Sequence, residues 1–363
     1  MRPILVIDNS SDAALNQLLR DTPMPGVVEL AYCRHPSVVE SLALDGDRHD
    51  LFVYKDDKRI IGMGVRSIRS MYLDGIPREI AYLSGLRIRK EYRNGLLLAR
   101  GYRFLRKLAT DNPSSLHLTT IVEDNHHARG ILTGGRAGMP TYNDLGRIVT
   151  SAIPLRKRSI FSPVSPVSVH RGRKDELLEY CRFLRTEGAK RQFFPCIDQS
   201  MFGTARLRGL SADDFVIARR DGYIMGLAAV WDQRSSKQHL ITGYSPLLSG
   251  LRPILNIPAS AAGFRPLPSP GNHLPTAHLA FCCVRDHSHR TLRRLISSAC
   301  NLAFSKGCAF LVFSQHEKDP LLGMPRMIPK MNYYSRLYSV SWNSVPETTF
   351  NASRIPHIES SML

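Results

Sequence analysis

The chain has 363 residues, enough for about two domains, and a formal net charge of +18 from 49 Lys and Arg against 31 Asp and Glu. Its 43% apolar and 22% charged residues exclude general disorder, and no apolar run reaches the ~18 residues of a membrane span. Seven cysteines without a C-x-x-C pair, and an apolar start too short for a secretory signal (MRPILVIDNSSD), argue against a disulfide scaffold or Cys-rich zinc site and for reduced thiols in the cytoplasm.

In chain order, the first clear pattern is DLFVYKDDKRIIGMG, Asp50 to Gly64. Two runs of β-branched and aromatic residues flank the polar turn Asp56-Asp57-Lys58, which predicts a β-hairpin. A strand follows, YLSGLRIR (82–89), then a basic turn from Lys90 to Gly95, then a helix opening at Leu96 with Leu98, Leu105 and Leu108 on its inner face. The strand LHLTTIV (116–122) ends at Glu123 and Asp124, and a short helix begins at Asn125. SPVSPVS, after the basic IPLRKR, reads as a linker, placed at 162–173. DFVIARRDGYIMGLA, Asp214 to Ala228, is a second hairpin about Asp221-Gly222. The stretch 245–275 carries seven prolines and is expected to hold neither regular helix nor central strand. A strand from Ala277, an amphipathic helix through Leu292, Leu295, Ile296, Ala299, Cys300 and Ala303, and the strand AFLVFS (309–314) complete the pattern.

The chain resembles itself. Asp50, Asp57, Ile60 and Gly62 match Asp214, Asp221, Ile224 and Gly226 at a spacing of 164, and Ala81, Leu83, Arg89 and Leu96 match Ala277, Leu279, Arg285 and Leu292 at 196. The change in spacing places a 32-residue insertion in the second copy, for which the proline-rich stretch is the candidate. The expected organisation is a first domain at 1–161, the linker, and a second domain at 174–363. The fold class is α/β with a mixed sheet.

The order hairpin, strand, basic turn, helix, strand resembles the fold of the GNAT N-acetyltransferase superfamily, here in tandem. In that family the turn opening the helix cradles the pyrophosphate of acyl-coenzyme A on free backbone N–H groups, where the helix end carries partial positive charge. Tyr92-Arg93-Asn94-Gly95 before Leu96 is similar to it, with Leu97 where the family has a second glycine. Tyr244-Ser245-Pro246 and Arg252-Pro253 resemble a segment of bacterial tandem acetyltransferases. The resemblance implies that acetyl-CoA, or another acyl-CoA, is the co-substrate. Its pantetheine arm would run along the backbone of Leu86, Arg87 and Ile88, and its phosphates would sit on Arg93, Asn94, Gly95, Leu96 and Leu97. The family's Asn-x-x-Ala-x-x-Leu-Tyr helix is matched at Asn125, Ala128 and Ile131, which implies a cofactor contact for Asn125, but Leu132 stands where the family has its proton-donating tyrosine.

Tyr142 lies close by in sequence as a substitute acid, and Glu123, at a strand end, is the candidate base for an attacking amine. Asp124 and Asn125 also suit helix capping. The second copy has Arg285-Asp286-His287-Ser288-His289-Arg290 in place of the turn, with no glycine, so no coenzyme is expected there. His278, Cys282, Cys283, His287 and His289 fit no standard zinc spacing, and no metal is expected. The acceptor is expected to be an amine on a small molecule or peptide, with the basic surplus favouring an anionic one. Two other readings are open: a transferase using aminoacyl-tRNA, which the charge would suit, and a catalytically degenerate protein that binds a ligand or partner.

Overall fold

A computed structural model of the chain describes residues 4–6, 11–57, 59–93, 96–111, 113–135, 138–157, 167–323, 329–342 and 349–363. The first part of the chain forms β1 (Ile4–Val6), α1 (Asp12–Asp21), β2 (Val28–Arg34), α2 (Val38–Ser41), β3 (Arg48–Asp56), β4 (Arg59–Leu73), β5 (Ile76–Ile88), α3 (Leu97–Asp111), β6 (Leu116–Val122), α4 (His126–Leu132) and β7 (Thr141–Pro154). The second forms β8 (Ser168–Arg171), α5 (Leu177–Gly188), β9 (Phe215–Arg220), β10 (Tyr223–Trp231), β11 (Lys237–Tyr244), α6 (Pro246–Ala261), β12 (Thr276–Val284), α7 (His289–Ser305), β13 (Phe310–His316) and β14 (Met331–Ser341).

Both predicted hairpins form. In the second, Arg220 faces Tyr223, and the two turn residues between them, Asp221 and Gly222, both have positive φ, the conformation that matches strand twist. β4 is buried without interruption from Ile60 to Arg69, as a central strand covered on both faces must be. α1 covers one face of β3 and β4 through Leu15, Leu18 and Leu19. α3 and α4 cover the other through Leu97, Tyr102, Leu105 and Leu132. α5 and α7 play the same parts in the second half.

The duplication holds residue by residue. Met63 faces Arg87 and Val65 faces Ser84, so β5 carries an extra residue there, at Gly85 with φ 62°. At the offsets of 164 and 196, Leu227 faces Cys283, Ala229 faces Ala280, and the extra residue is Phe281 with φ 53°. Each half therefore has the same β-bulge. Arg89 pairs with Asp21 on α1 at 2.6 Å, and its counterpart Arg285 pairs with Glu187 on α5 at 3.3 Å.

The strands make one twelve-stranded sheet in the order β1-β3-β4-β5-β6-β14-β7-β13-β12-β10-β9-β8. The two halves exchange their last strands. β7, which follows α4, pairs with β13, and β14, which follows β13, pairs with β6. β7 and β14 then pair with each other along their length at the centre.

Two expectations need correction. Of the linker at 162–173, residues 162–166 lie outside the described residues, but Ser168–Arg171 forms an edge strand on β9. Beyond Pro166 the alternating Val167-Ser168-Val169-His170 suits a strand, and Val167 is buried. The insertion does contain a regular helix, α6, despite Pro253 and Pro258 inside it. Pro246 occupies a first-turn position where no N–H bond is lost, and no residue of α6 is buried, so water can satisfy the carbonyls that the inner prolines leave unpaired. Before α6, β11 pairs with β2 in a separate two-stranded sheet.

Candidate functional site

β5 is paired with β4 as far as Ile88, but with the parallel β6 only over Ile80–Tyr82 against Leu116–Leu118. Beyond that point the two strands diverge into a wedge. Its apex is tied by the Thr119 hydroxyl, which donates to the Leu83 carbonyl at 2.8 Å, and by a 2.6 Å bond between the hydroxyls of Tyr82 and Thr120. Gly85 allows the bulge: a Cβ there would meet Val65 at 3.2 Å in a left-handed backbone conformation. Past it, Ser84 to Ile88 are half-buried and have no strand on the β6 side.

Of the expected cofactor residues, Leu86, Arg87 and Ile88 lie on this wall. Leu86 packs on the α3 face, while Arg87 stands opposite Met63 on the face of α1 and β2. Burial lowers the pKa of Arg87, Tyr32 opposes that, and Arg93 adds to it. Arg93 is exposed, and its Nε donates to the Ile88 carbonyl at 3.0 Å, at the mouth of the wedge. Asn94 and Gly95 lie outside the described residues. Leu96 is exposed and Leu97, the first residue of α3, is buried. The start of α3 thus lies beside the end of β5. Gly101 seats the helix there: a Cβ would come within 1.7 Å of the Tyr54 hydroxyl oxygen, so no larger residue permits this approach.

Asn125 caps α4, its side chain accepting the Ala128 N–H at 3.1 Å. Leu132 is buried in the α3 and α4 core. Glu123 and Tyr142 both line one cavity of about 450 Å³. Glu123 directly follows β6 and so stands on the wedge's rim, but the cavity itself lies beyond β6, against β7 and β14. Arg147 Nε holds the Glu123 carboxylate at 2.8 Å and Arg336 approaches it at 3.7 Å, while Asp144 pairs with Arg336 at 2.7 Å. The Tyr142 hydroxyl bonds that of Tyr102, and burial with Tyr102 beside it raises the Tyr142 pKa well above the usual tyrosine range. Tyr142 therefore holds its proton throughout the neutral range.

The second half has the same wedge, filled. β12 and β13 pair only over Thr276–His278 and Phe310–Val312. Beyond, the C-terminal segment enters: Glu359 accepts the N–H of the bulge residue Phe281 at 2.7 Å and Ile358 is buried beside it. The Arg191–Asp319 pair, at 2.7 Å, also lines the gap, and a void of only about 20 Å³ remains. The start of α7 is capped by its own Ser288, which accepts the Thr291 N–H at 3.3 Å.

The sequence reading missed a buried ionic cluster on the α1 and β2 face. Asp45 bonds Arg34 and, at 2.5 Å, Lys237, whose pKa burial pushes down to about 8 against the pull of Asp45. Arg69 Nη1 donates to the Asp45 carbonyl at 2.8 Å. These residues come from four separated segments, and no local spacing signals them. All seven cysteines are free, and among the described residues no group of three or more His, Cys, Asp or Glu could hold a metal ion.

No protein-family model matches the sequence, and no match is found among curated proteins. The likeness is structural. Saccharomyces cerevisiae N-myristoyltransferase with bound myristoyl-CoA superposes with a TM-score of 0.60 at 10% identity, over 95% of this chain and 84% of that one. A tandem GNAT protein from the clavulanic acid biosynthesis pathway gives 0.56 at 12% identity, over 95% of this chain and 100% of that one. A probable N-acyltransferase from Enterococcus faecalis V583 gives 0.51 at 9% identity, over 94% and 72%. The fold is the GNAT fold, present twice.

Proposed function

We propose that the chain is an N-acyltransferase whose first half binds an acyl-CoA, in the simplest case acetyl-CoA, and passes the acyl group to an amine. The observation that carries this reading is the asymmetry of two matching wedges: the first is lined by half-buried backbone from Ser84 to Ile88, whereas the second is closed by Glu359 and Ile358. The structural neighbours support acyl transfer in general.

In this reading the backbone of Leu86, Arg87 and Ile88 pairs with the pantetheine amides as an added strand would. The free N–H groups at the start of α3, with Arg93 and the turn through Asn94, Gly95, Leu96 and Leu97, hold the phosphates. Asn125 lies across the wedge at the start of α4. The amine attacks the thioester carbon directly: the C–N bond forms, the C–S bond breaks, and the coenzyme leaves as a thiolate that takes up a proton. Glu123 is assigned as acceptor of the amine's proton through water, which requires Arg147 to release it, and Tyr142 as the donor.

Titration calorimetry with acetyl-CoA, desulfo-CoA and bulk tRNA tests the reading. Salt-tolerant binding of both coenzyme forms is expected. Binding of tRNA alone, weakening steeply with salt, would replace it with the aminoacyl-tRNA reading. Coenzyme binding with no turnover across an amine panel would leave a ligand-binding protein.

A further inference from the structure

The segment 233–285 contains no Asp or Glu, although it holds Arg234, Lys237, Arg252, Arg265 and Arg285. Within it, α6 wears its amphipathic pattern inside out. Asn256 points to the protein, accepting the Leu267 N–H at 2.8 Å and donating to the Leu267 carbonyl at 3.0 Å. Arg252 donates to the same carbonyl at 3.1 Å and lies over the Tyr244 ring. Leu247, Leu251, Ile254 and Leu255, at i, i+4, i+7 and i+8, with Ile257 beside them, are exposed instead, Leu247 by 75% and Ile257 by 74%. A helix bathed in water on both counts does the reverse, turning its apolar stripe to the core. Two cations stand at one end of this face. Lys157, whose N–H donates to the Gly263 carbonyl at 2.9 Å, and Arg265, over the Phe304 ring, are both exposed at the C-terminal end of the helix.

We propose that α6 lies in the headgroup plane of an anionic bilayer, with its leucines and isoleucines among the acyl chains and Lys157 and Arg265 on the lipid phosphates. An aliphatic stripe with two cations at its end, in a stretch without a single acid and a chain of charge +18, matches that surface in both polarity and sign. No helix among the described residues is long and apolar enough to cross a membrane, so the contact is peripheral. The placement has a geometric consequence. β14 is antiparallel to both β6 and β7, so β5, β6 and β7 end at one edge of the sheet. Arg156, just past β7, bridges to Phe264, just past α6. A bilayer on α6 therefore meets the edge towards which the first wedge opens, where Met331 and Tyr333 are also exposed. The docking itself does not depend on the acyltransferase reading.

Co-sedimentation of the full chain with vesicles tests the proposal, using phosphatidylcholine alone and an equal mixture of phosphatidylcholine and phosphatidylglycerol. Binding to the mixed vesicles only, weakened by salt, is expected. The Leu247→Glu/Ile254→Glu/Ile257→Glu variant should lose it by about tenfold or more, with its thermal unfolding unchanged because none of the three is buried. Lys157→Glu/Arg265→Glu, which spares the apolar stripe, should weaken binding to the mixed vesicles alone. A wild-type chain that stays in the supernatant overturns the proposal, as does binding that the triple variant retains. Concentration-dependent self-association abolished by the triple variant, without vesicle binding, would assign the face to a second copy and overturn it too.

Discussion

At Gly85 and at Phe281 the two halves of the sheet make the same backbone turn, yet the spaces beside these turns have opposite fates. Beside Gly85 the strands part and the backbone stays half-buried; beside Phe281 a carboxylate, an isoleucine and an ion pair fill the gap. The same contrast runs below the wedge. In the first half fully buried Arg66 pairs with Asp50 at 2.9 Å and donates from Nε to His117 at 3.2 Å. The aligned positions of Arg66 and His117 in the second half are Val230 and Leu311, both buried. One copy keeps polar groups and an open gap, and the other has become core. The bulge and splay are thus properties of the shared backbone, while ligand access depends on what later side chains put into the gap.

The largest effect is expected from unplugging the second wedge. Glu359→Ala leaves the buried Phe281 N–H without its acceptor and should cost about 2–4 kcal/mol in urea unfolding, while the affinity for acetyl-CoA stays the same. A gain of coenzyme affinity would instead show that the second wedge is also a site.

Acid should act next. Burial, with Arg66 beside it, pushes the His117 pKa from 6.5 down to about 3. Between those values the unfolded chain binds the proton and the folded one does not, so stability falls as pH falls. The loss from this residue should approach about 1.4 kcal/mol per pH unit below its ordinary range. His117→Leu, which copies Leu311, should flatten that slope in chemical denaturation followed at several pH values.

Gly85→Phe gives the first half the second half's bulge residue. Phe281 shows that this backbone conformation can hold a phenylalanine, but a side chain at 85 presses on Val65, so some stability should be lost while the Kd for acetyl-CoA rises about tenfold or more by calorimetry. An unchanged Kd would separate the wedge from the coenzyme. Arg93→Ala, at the exposed mouth, should weaken binding by only about two- to fivefold, and less in high salt.

The duplication was legible because the hairpin turns and the first residues of each central strand are constrained locally, and matched residues such as Asp57 and Asp221 recur where the backbone demands positive φ. Gly85 and Phe281 stand at the same 196 spacing, but nothing in Phe281 itself announces a bulge. What pairs with what across the sheet was not legible. The exchange of β7 and β14 is a long-range choice that leaves both strands with the same alternating pattern in either place. The plug was hidden for a related reason: Glu359 lies 78 residues from the N–H it accepts from. The proline content of α6 points away from a helix because it carries no information on burial, and a surface helix tolerates lost bonds that a buried one does not. Glu123 and Tyr142 were placed near the site by sequence order, but the arginines that hold Glu123 come from β7 and β14.

The strand exchange also governs how the chain is made. β6 ends at Val122, but the neighbour that completes its edge begins only at Met331. A nascent polypeptide therefore leaves the ribosome with the edge of β6 open until β14 has been made. Such an edge is a template for pairing with other chains. Excising either half removes a strand from its sheet, and a translational stop before β14 would leave the edge of β6 unpaired.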